Sequence, residues 1–224
     1  MTTTYASASE INSRMLSVYN NMFLAVVTSM LVSLAVASSP VLMQFLFTGL
    51  MKWIVLFAPL VVILAMTWVM EKATRTECQV MLHAFAALMG LSMSTIFVVF
   101  TLGSIVSAFM GAAVLFGTMS LWGYFTKKSL ESWGSFLFVG LIAVVIASIV
   151  NVFLGNSTLA MVVSAIAIIV FLGLTAYDTQ NLRRQLSVSD ADGKMEIIGA
   201  LSLYLNFINI FMSLLQLFGS RNED

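Results

Sequence analysis

Charge is scarce in this chain. Asp, Glu, Lys and Arg make up 9% of its 224 residues, whereas a soluble domain carries about a quarter. Ten acids and ten bases cannot solvate a water-soluble globule of this length, and their balance leaves no basic face for nucleic acid. The one cysteine, Cys78, excludes an internal disulfide and any cysteine-based metal cluster. The one histidine, His83, excludes the His-Glu-x-x-His helix of a zinc protease. Asp178 is the only acid within a long apolar segment, so an intramembrane aspartyl protease lacks its second carboxylate. There is no Gly-x-Ser-Gly turn with a partner histidine, no lysine in the last apolar run to hold retinal, and no phosphate-cradling glycine loop. No enzyme is expected, and no cofactor.

What the chain does have is apolar length. Sixty per cent of it is hydrophobic, and seven runs approach the roughly 20 residues that a spanning helix needs. They cover 18–38, 52–70, 80–100, 102–124, 134–154, 159–178 and 197–218. Pro59 lies in the second, where neighbouring helices can accommodate it. The third and fourth meet at Thr101-Leu102-Gly103 and the fifth and sixth at 155–158, connections short enough to force antiparallel neighbours. The expected organisation is a polar segment 1–17, a single seven-helix transmembrane domain 18–218 and a short polar tail 219–224. Ala35-Val36-Ala37 imitates a signal-peptide cleavage site, but the run from Val18 exceeds a signal h-region, so it reads as an uncleaved first span.

Orientation follows from the basic residues. Arg14, Lys72, Arg75, Lys127, Lys128, Arg183, Arg184 and Lys194 fall on the N-terminal side of the membrane, against Lys52 and Arg221 on the other. Eight against two places the N-terminus in the cytoplasm. With seven full spans the C-terminus lies outside. Trp53, Trp122, Trp133 and Tyr124 fall near span boundaries, where interfacial aromatics belong. The fourth run holds two small-residue ladders, Gly103/Ser107/Gly111 and Ser104/Ala108/Ala112. Such ladders let helices approach closely, within the bundle or across a dimer; the bundle contact is the plainer reading. His83 reads as a packed or interfacial residue, Cys78 as part of a charged cytoplasmic loop, and Asn151 as a cap or hydrogen-bond partner.

Two polar features stand out against this background. A carboxylate within a span costs about 2.5–3.5 kcal/mol at a helix centre by insertion scales, so Asp178 is a functional-site candidate. In the last run Gly199, Ser202, Asn206, Asn209, Ser213 and Gln216 recur at steps of 3, 4, 3, 4 and 3 residues, which lines one helix face with small and polar groups. Asp178 precedes Arg183 by five residues, about 8 Å along a helix, whereas Asn206 is nominally about 15 Å deep. An Asp and an Asn at matching depth can hydrogen-bond across helices. The plain alternative for the stripe is a face buried against neighbours.

The stretch Gly173-Leu-Thr-Ala-Tyr-Asp-Thr-Gln-Asn-Leu182, followed by Gly199-Ala-Leu-Ser-Leu-Tyr-Leu-Asn-Phe-Ile-Asn-Ile-Phe211, closely resembles the Bax inhibitor-1 family. Gly117-Thr-Met-Ser-Leu-Trp-Gly-Tyr-Phe-Thr-Lys-Lys-Ser-Leu130 is similar to the family's central segment, and the likeness extends over nearly the whole chain. Bacterial inner-membrane members are the most similar. The resemblance implies an all-α membrane protein in which two three-helix layers wrap a central, polar-striped last helix. It implies proton-sensitive leak of calcium or other cations in some members, and binding to other membrane proteins, including a membrane protease, in others.

One position departs from the family pattern. Relatives commonly carry Asp where this chain has Asn206, paired with the Asp matching Asp178. Two carboxylates at hydrogen-bond distance share a proton and form a pH-sensitive gate; Asn206 cannot ionise. A single carboxylate is a poor Ca²⁺ site, since that ion takes 6–8 oxygen ligands. Asp178 is therefore expected to bind or gate an ion, with Asn206 as its structural partner and Ser202, Asn209, Ser213 and Gln216 as the stripe. Arg75 or Lys72 could act as a basic latch, although topology charges are the simpler account. Two functions stand side by side: a leak for Ca²⁺ or H⁺, and a regulatory protein that binds another membrane protein without transporting. Oligomeric state is open.

Overall fold

The computed structural model describes residues 6–188 and 193–222; residues 1–5 of the polar N-terminal segment and 223–224 of the tail lie outside them. The described chain is helical: α1 Ala8–Ala37, α2 Pro40–Phe47, α3 Met51–Met70, α4 Arg75–Met93, α5 Ile96–Val99, α6 Leu102–Phe125, α7 Glu131–Leu154, α8 Ser157–Ser187 and α9 Lys194–Phe218. Seven spans among them are long and apolar enough to cross a membrane, α4 and α5 together forming the third. The protein is an all-α membrane protein.

The helices overrun the apolar runs where capping chemistry extends them. Ser7 accepts from the Glu10 amide and starts α1 at Ala8, ten residues before the first apolar run. Thr74 and Glu77 form a reciprocal capping box that starts α4 at Arg75. That box corrects the expectation for Cys78: it lies in the first turn of α4, fully buried, with its thiol 3.8 Å from the Met70 carbonyl. Asn151 does act at a helix end, its side-chain oxygen accepting from the Asn156 amide at 3.2 Å. The short α2 was not foreseen. Ser39 caps it and Pro40 occupies its first turn, so local chemistry turns part of a loop into a helix.

Two compact units make up the chain. Unit 1 comprises 1–100, 188–204 and 222–224, and unit 2 comprises 101–187 and 205–221, so α9 contributes to both. In unit 1, α1 and α4 run parallel in close contact. A Cβ on Gly90 would lie 2.5 Å from the Ser29 carbonyl oxygen, so only glycine allows that approach. Ser29 Oγ lies 2.7 Å from both the Ala86 carbonyl and the Tyr204 hydroxyl. With the serine proton on Ala86, Tyr204 is the donor, and both polar groups are satisfied in the core. His83 is likewise packed, its Nδ1 3.2 Å from Thr28 Oγ1. Pro59 in α3 cannot donate to the carbonyl of Val55, four residues back. Ser92 of α4 supplies that missing donor, its hydroxyl 2.5 Å from Val55 O. At the start of α9, Glu196 accepts from Arg14 of α1 at 2.6 Å in a largely buried ion pair.

In unit 2, α7 packs antiparallel to α8, whereas α6 runs parallel to α8, so the C-terminal ends of α6 and α8 meet at Tyr124 and Arg183. Ser120 and Thr179 hydroxyls meet at 3.1 Å between α6 and α8. Gly134, Gly140 and Gly173 set the α7–α8 register by facing Tyr177, Val170 and Leu137. Phe109 and Phe116 of α6 meet Phe207 edge-on, at centroid separations of 5.4 and 5.8 Å. The two ladders on α6 separate: Ala108 and Ala112 are buried, as a bundle contact requires, while Gly103 and Ser107 are exposed.

Candidate functional site

Asp178 and Asn206 are in contact. Asn206 Nδ2 donates to Asp178 Oδ2 at 2.8 Å, joining α8 to the second part of α9 within unit 2. Their depths match because α8 does not stop with its apolar run. It continues nine residues beyond Asp178, to Ser187, and this lengthens the path from the helix end to the carboxylate. Asn206 is 4% exposed. Asp178 is half-buried, so it keeps some open surface. The donor is a neutral amide, so the Asn206–Asp178 contact is a hydrogen bond and not an ion pair.

The other expected residues divide. Ser202, Asn209 and Gln216 are half-buried, on a line that also carries Ile198, Leu205 and Met212, whereas Gly199, Asn206 and Ser213 are buried. Asn209 spends its amide on its own helix, donating to the Leu205 carbonyl at 2.8 Å. The spacing of 3 and 4 marked one helix face, but burial divides that face into two lines, and a single polar stripe is not confirmed. Arg75 places its guanidinium beside Gly193 in unit 1, and Lys72 is exposed.

Sequence reading missed Gln180. Its Oε1 accepts from the Leu130 amide at 2.9 Å and its Nε2 donates to the Lys128 carbonyl at 2.8 Å. One side chain thus holds both strands of the turn between α6 and α7, much as a backbone pair would. Arg183 donates to the Tyr124 carbonyl at 2.8 Å and stacks over the Tyr124 ring at 4.7 Å. Arg184 pairs with Glu131. The clue in sequence was a second polar residue two positions after Asp178, about 200° round the helix from it. Replacing Gln180 with alanine leaves the buried Leu130 N–H unpaired, a loss of about 1–3 kcal/mol. Hydrogen exchange at Lys128–Leu130 is expected to accelerate; unchanged exchange there would show that the turn is held by other contacts.

This constellation can be compared with known proteins. A family model described as inhibitor of apoptosis-promoting Bax1 matches residues 11–223. The chain belongs to the Bax inhibitor-1 family. Inner membrane protein YbhL of Escherichia coli K12 is 39% identical over 213 residues, covering 92% of this chain and 91% of that protein. An uncharacterized protein of Rickettsia prowazekii is 36% identical over 212 residues, 93% of this chain and 90% of its own length. Another, from Caulobacter vibrioides, is 35% identical over 222 residues, 93% and 89% of the respective chains.

Proposed function

We propose that this Bax inhibitor-1 family protein is a multi-pass protein of the bacterial inner membrane that provides a proton-sensitive cation leak centred on Asp178. The observation that carries the reading is the 2.8 Å contact between Asp178 and Asn206, with the carboxylate half-buried rather than sealed. An ionisable group kept in a span is costly unless water or an ion reaches it. Asn206 fixes the carboxylate's rotamer, and Asp178 binds or releases the proton that changes the leak. One carboxylate supplies few of the oxygens Ca²⁺ needs, so Ca²⁺ passes only weakly and with much of its hydration retained. The test is flux from vesicles holding the purified full chain, read with internal calcium and pH dyes. Flux should respond to acid in the wild type and lose that response in Asp178→Ala. Flux equal in the two proteins rejects the leak.

A second reading, the non-transporting partner, draws on the outer end of unit 2. There Gly103, Ser107, Gly111 and Leu214 line an open groove of about 500 Å³. Small residues exposed along a helix accept another helix closely. Cross-linking through Ser107→Cys that captures a membrane protein, together with flux indifferent to Asp178→Ala, favours this reading.

A further inference from the structure

We propose that the turn between α6 and α7, carrying Lys127 and Lys128, is a binding site for the headgroup of an anionic phospholipid. Four cations, Lys127, Lys128, Arg183 and Arg184, and one acid, Glu131, meet at this end of unit 2, a local excess of three positive charges. The arginines are engaged: Arg183 holds the Tyr124 carbonyl and ring, and Arg184 pairs with Glu131. Lys127 and Lys128 are both exposed, and among the described residues the carboxylate pairing here belongs to Arg184 alone.

The lysines are free to move but their backbone is not. Gln180 grips the Lys128 carbonyl and the Leu130 amide, and Leu130 itself is only 3% exposed. Their stems therefore start from a fixed ledge at the helix ends. Flanking the ledge are Phe125 and Trp133, 71% and 53% exposed, which are large rings left uncovered by protein. Exposed aromatics beside exposed lysines at the ends of spanning helices mark the headgroup level of the bilayer. The occupant that matches this chemistry has a phosphate for the ammonium groups and acyl chains for the rings. It is continuous with the lipid already bathing the apolar faces of α6 and α7. A neutral zwitterionic lipid offers the same chains without net charge, so preference for the anionic lipid is the discriminating property.

The test is native mass spectrometry of the full chain in detergent, titrated with phosphatidylglycerol or phosphatidylcholine. The wild type should retain phosphatidylglycerol in preference. At about 1 kcal/mol per basic residue near the surface, Lys127→Gln with Lys128→Gln should weaken phosphatidylglycerol binding roughly 30-fold and leave phosphatidylcholine unchanged. Lys52→Gln, in unit 1, should have no effect. The double variant should melt like the wild type, because both side chains are exposed. Gln180→Ala keeps every charge yet should lower the preference several-fold by releasing the ledge. Equal retention of the two lipids by the wild type overturns the site, as does a preference that survives the double substitution.

Discussion

Gly123→Ala lowers the melting temperature of the full chain in detergent by roughly 10 °C: this is the expected result, and it follows from one contact. A Cβ on Gly123 would lie 2.3 Å from the Ala176 carbonyl oxygen and 2.8 Å from its Cα. Those atoms are backbone, so no rotamer change relieves the clash and α6 must move away from α8. Overpacking costs about 1–3 kcal/mol, and the rigid partner puts this site at the upper end. For a chain of this size each kcal/mol is worth roughly 2–4 °C. The consequence reaches the site, because Ser120–Thr179 and the grip of Gln180 on the α6–α7 turn depend on the same helix pair. Gly117→Ala is the control. Nothing lies within 4 Å of its added methyl, and alanine is the better helix former by about 1 kcal/mol. The two substitutions should shift stability in opposite directions. If both raise the melting temperature, the close approach of α6 and α8 is wrong.

Asn206→Asp should make the stability of the protein depend steeply on pH. In the wild type a neutral amide donates to Asp178 at 2.8 Å. In the variant two carboxylates occupy that contact and can coexist only by sharing a proton. The unfolded chain gives up both protons above the usual carboxylate range, near about pH 4. Between that point and the pH at which the folded pair loses its shared proton, the folded state binds more protons than the unfolded one, so stability falls as pH rises. The slope is about 1.36 kcal/mol per pH unit, or roughly 3 kcal/mol across two units. Melting at pH 5 and at pH 8 should separate the variant from the wild type at the higher pH and bring them together at the lower. Vesicle flux in the variant should follow pH more steeply as well. Parallel melting curves and unchanged flux profiles would mean that position 206 does not sense the charge on Asp178.

Several features are legible in the amino-acid sequence because they depend on local chemistry alone. Seven apolar runs declare seven spans, since lipid offers no water to an unpaired backbone. Asp178 stands out for the same reason: an acid is conspicuous where everything around it is apolar. Helix ends are harder to place, because caps such as Ser7 and Thr74 act on polar residues that hydropathy ignores. Gln180 is invisible as a clamp, since the Lys128 and Leu130 backbone groups it binds are about fifty residues away in sequence.

Taken alone, the order of amino acids determined the class of protein, its expected orientation and the residue most in need of explanation, because each depends on how one side chain or one run interacts with lipid. Tertiary structure decided which partners those residues meet: that Asn206 reaches Asp178, that Ser92 completes the carbonyl left open by Pro59, and that Gly123 must be bare. Such pairings depend on the register between helices. That register is set by the sum of many weak side-chain contacts between distant segments, which no local pattern encodes.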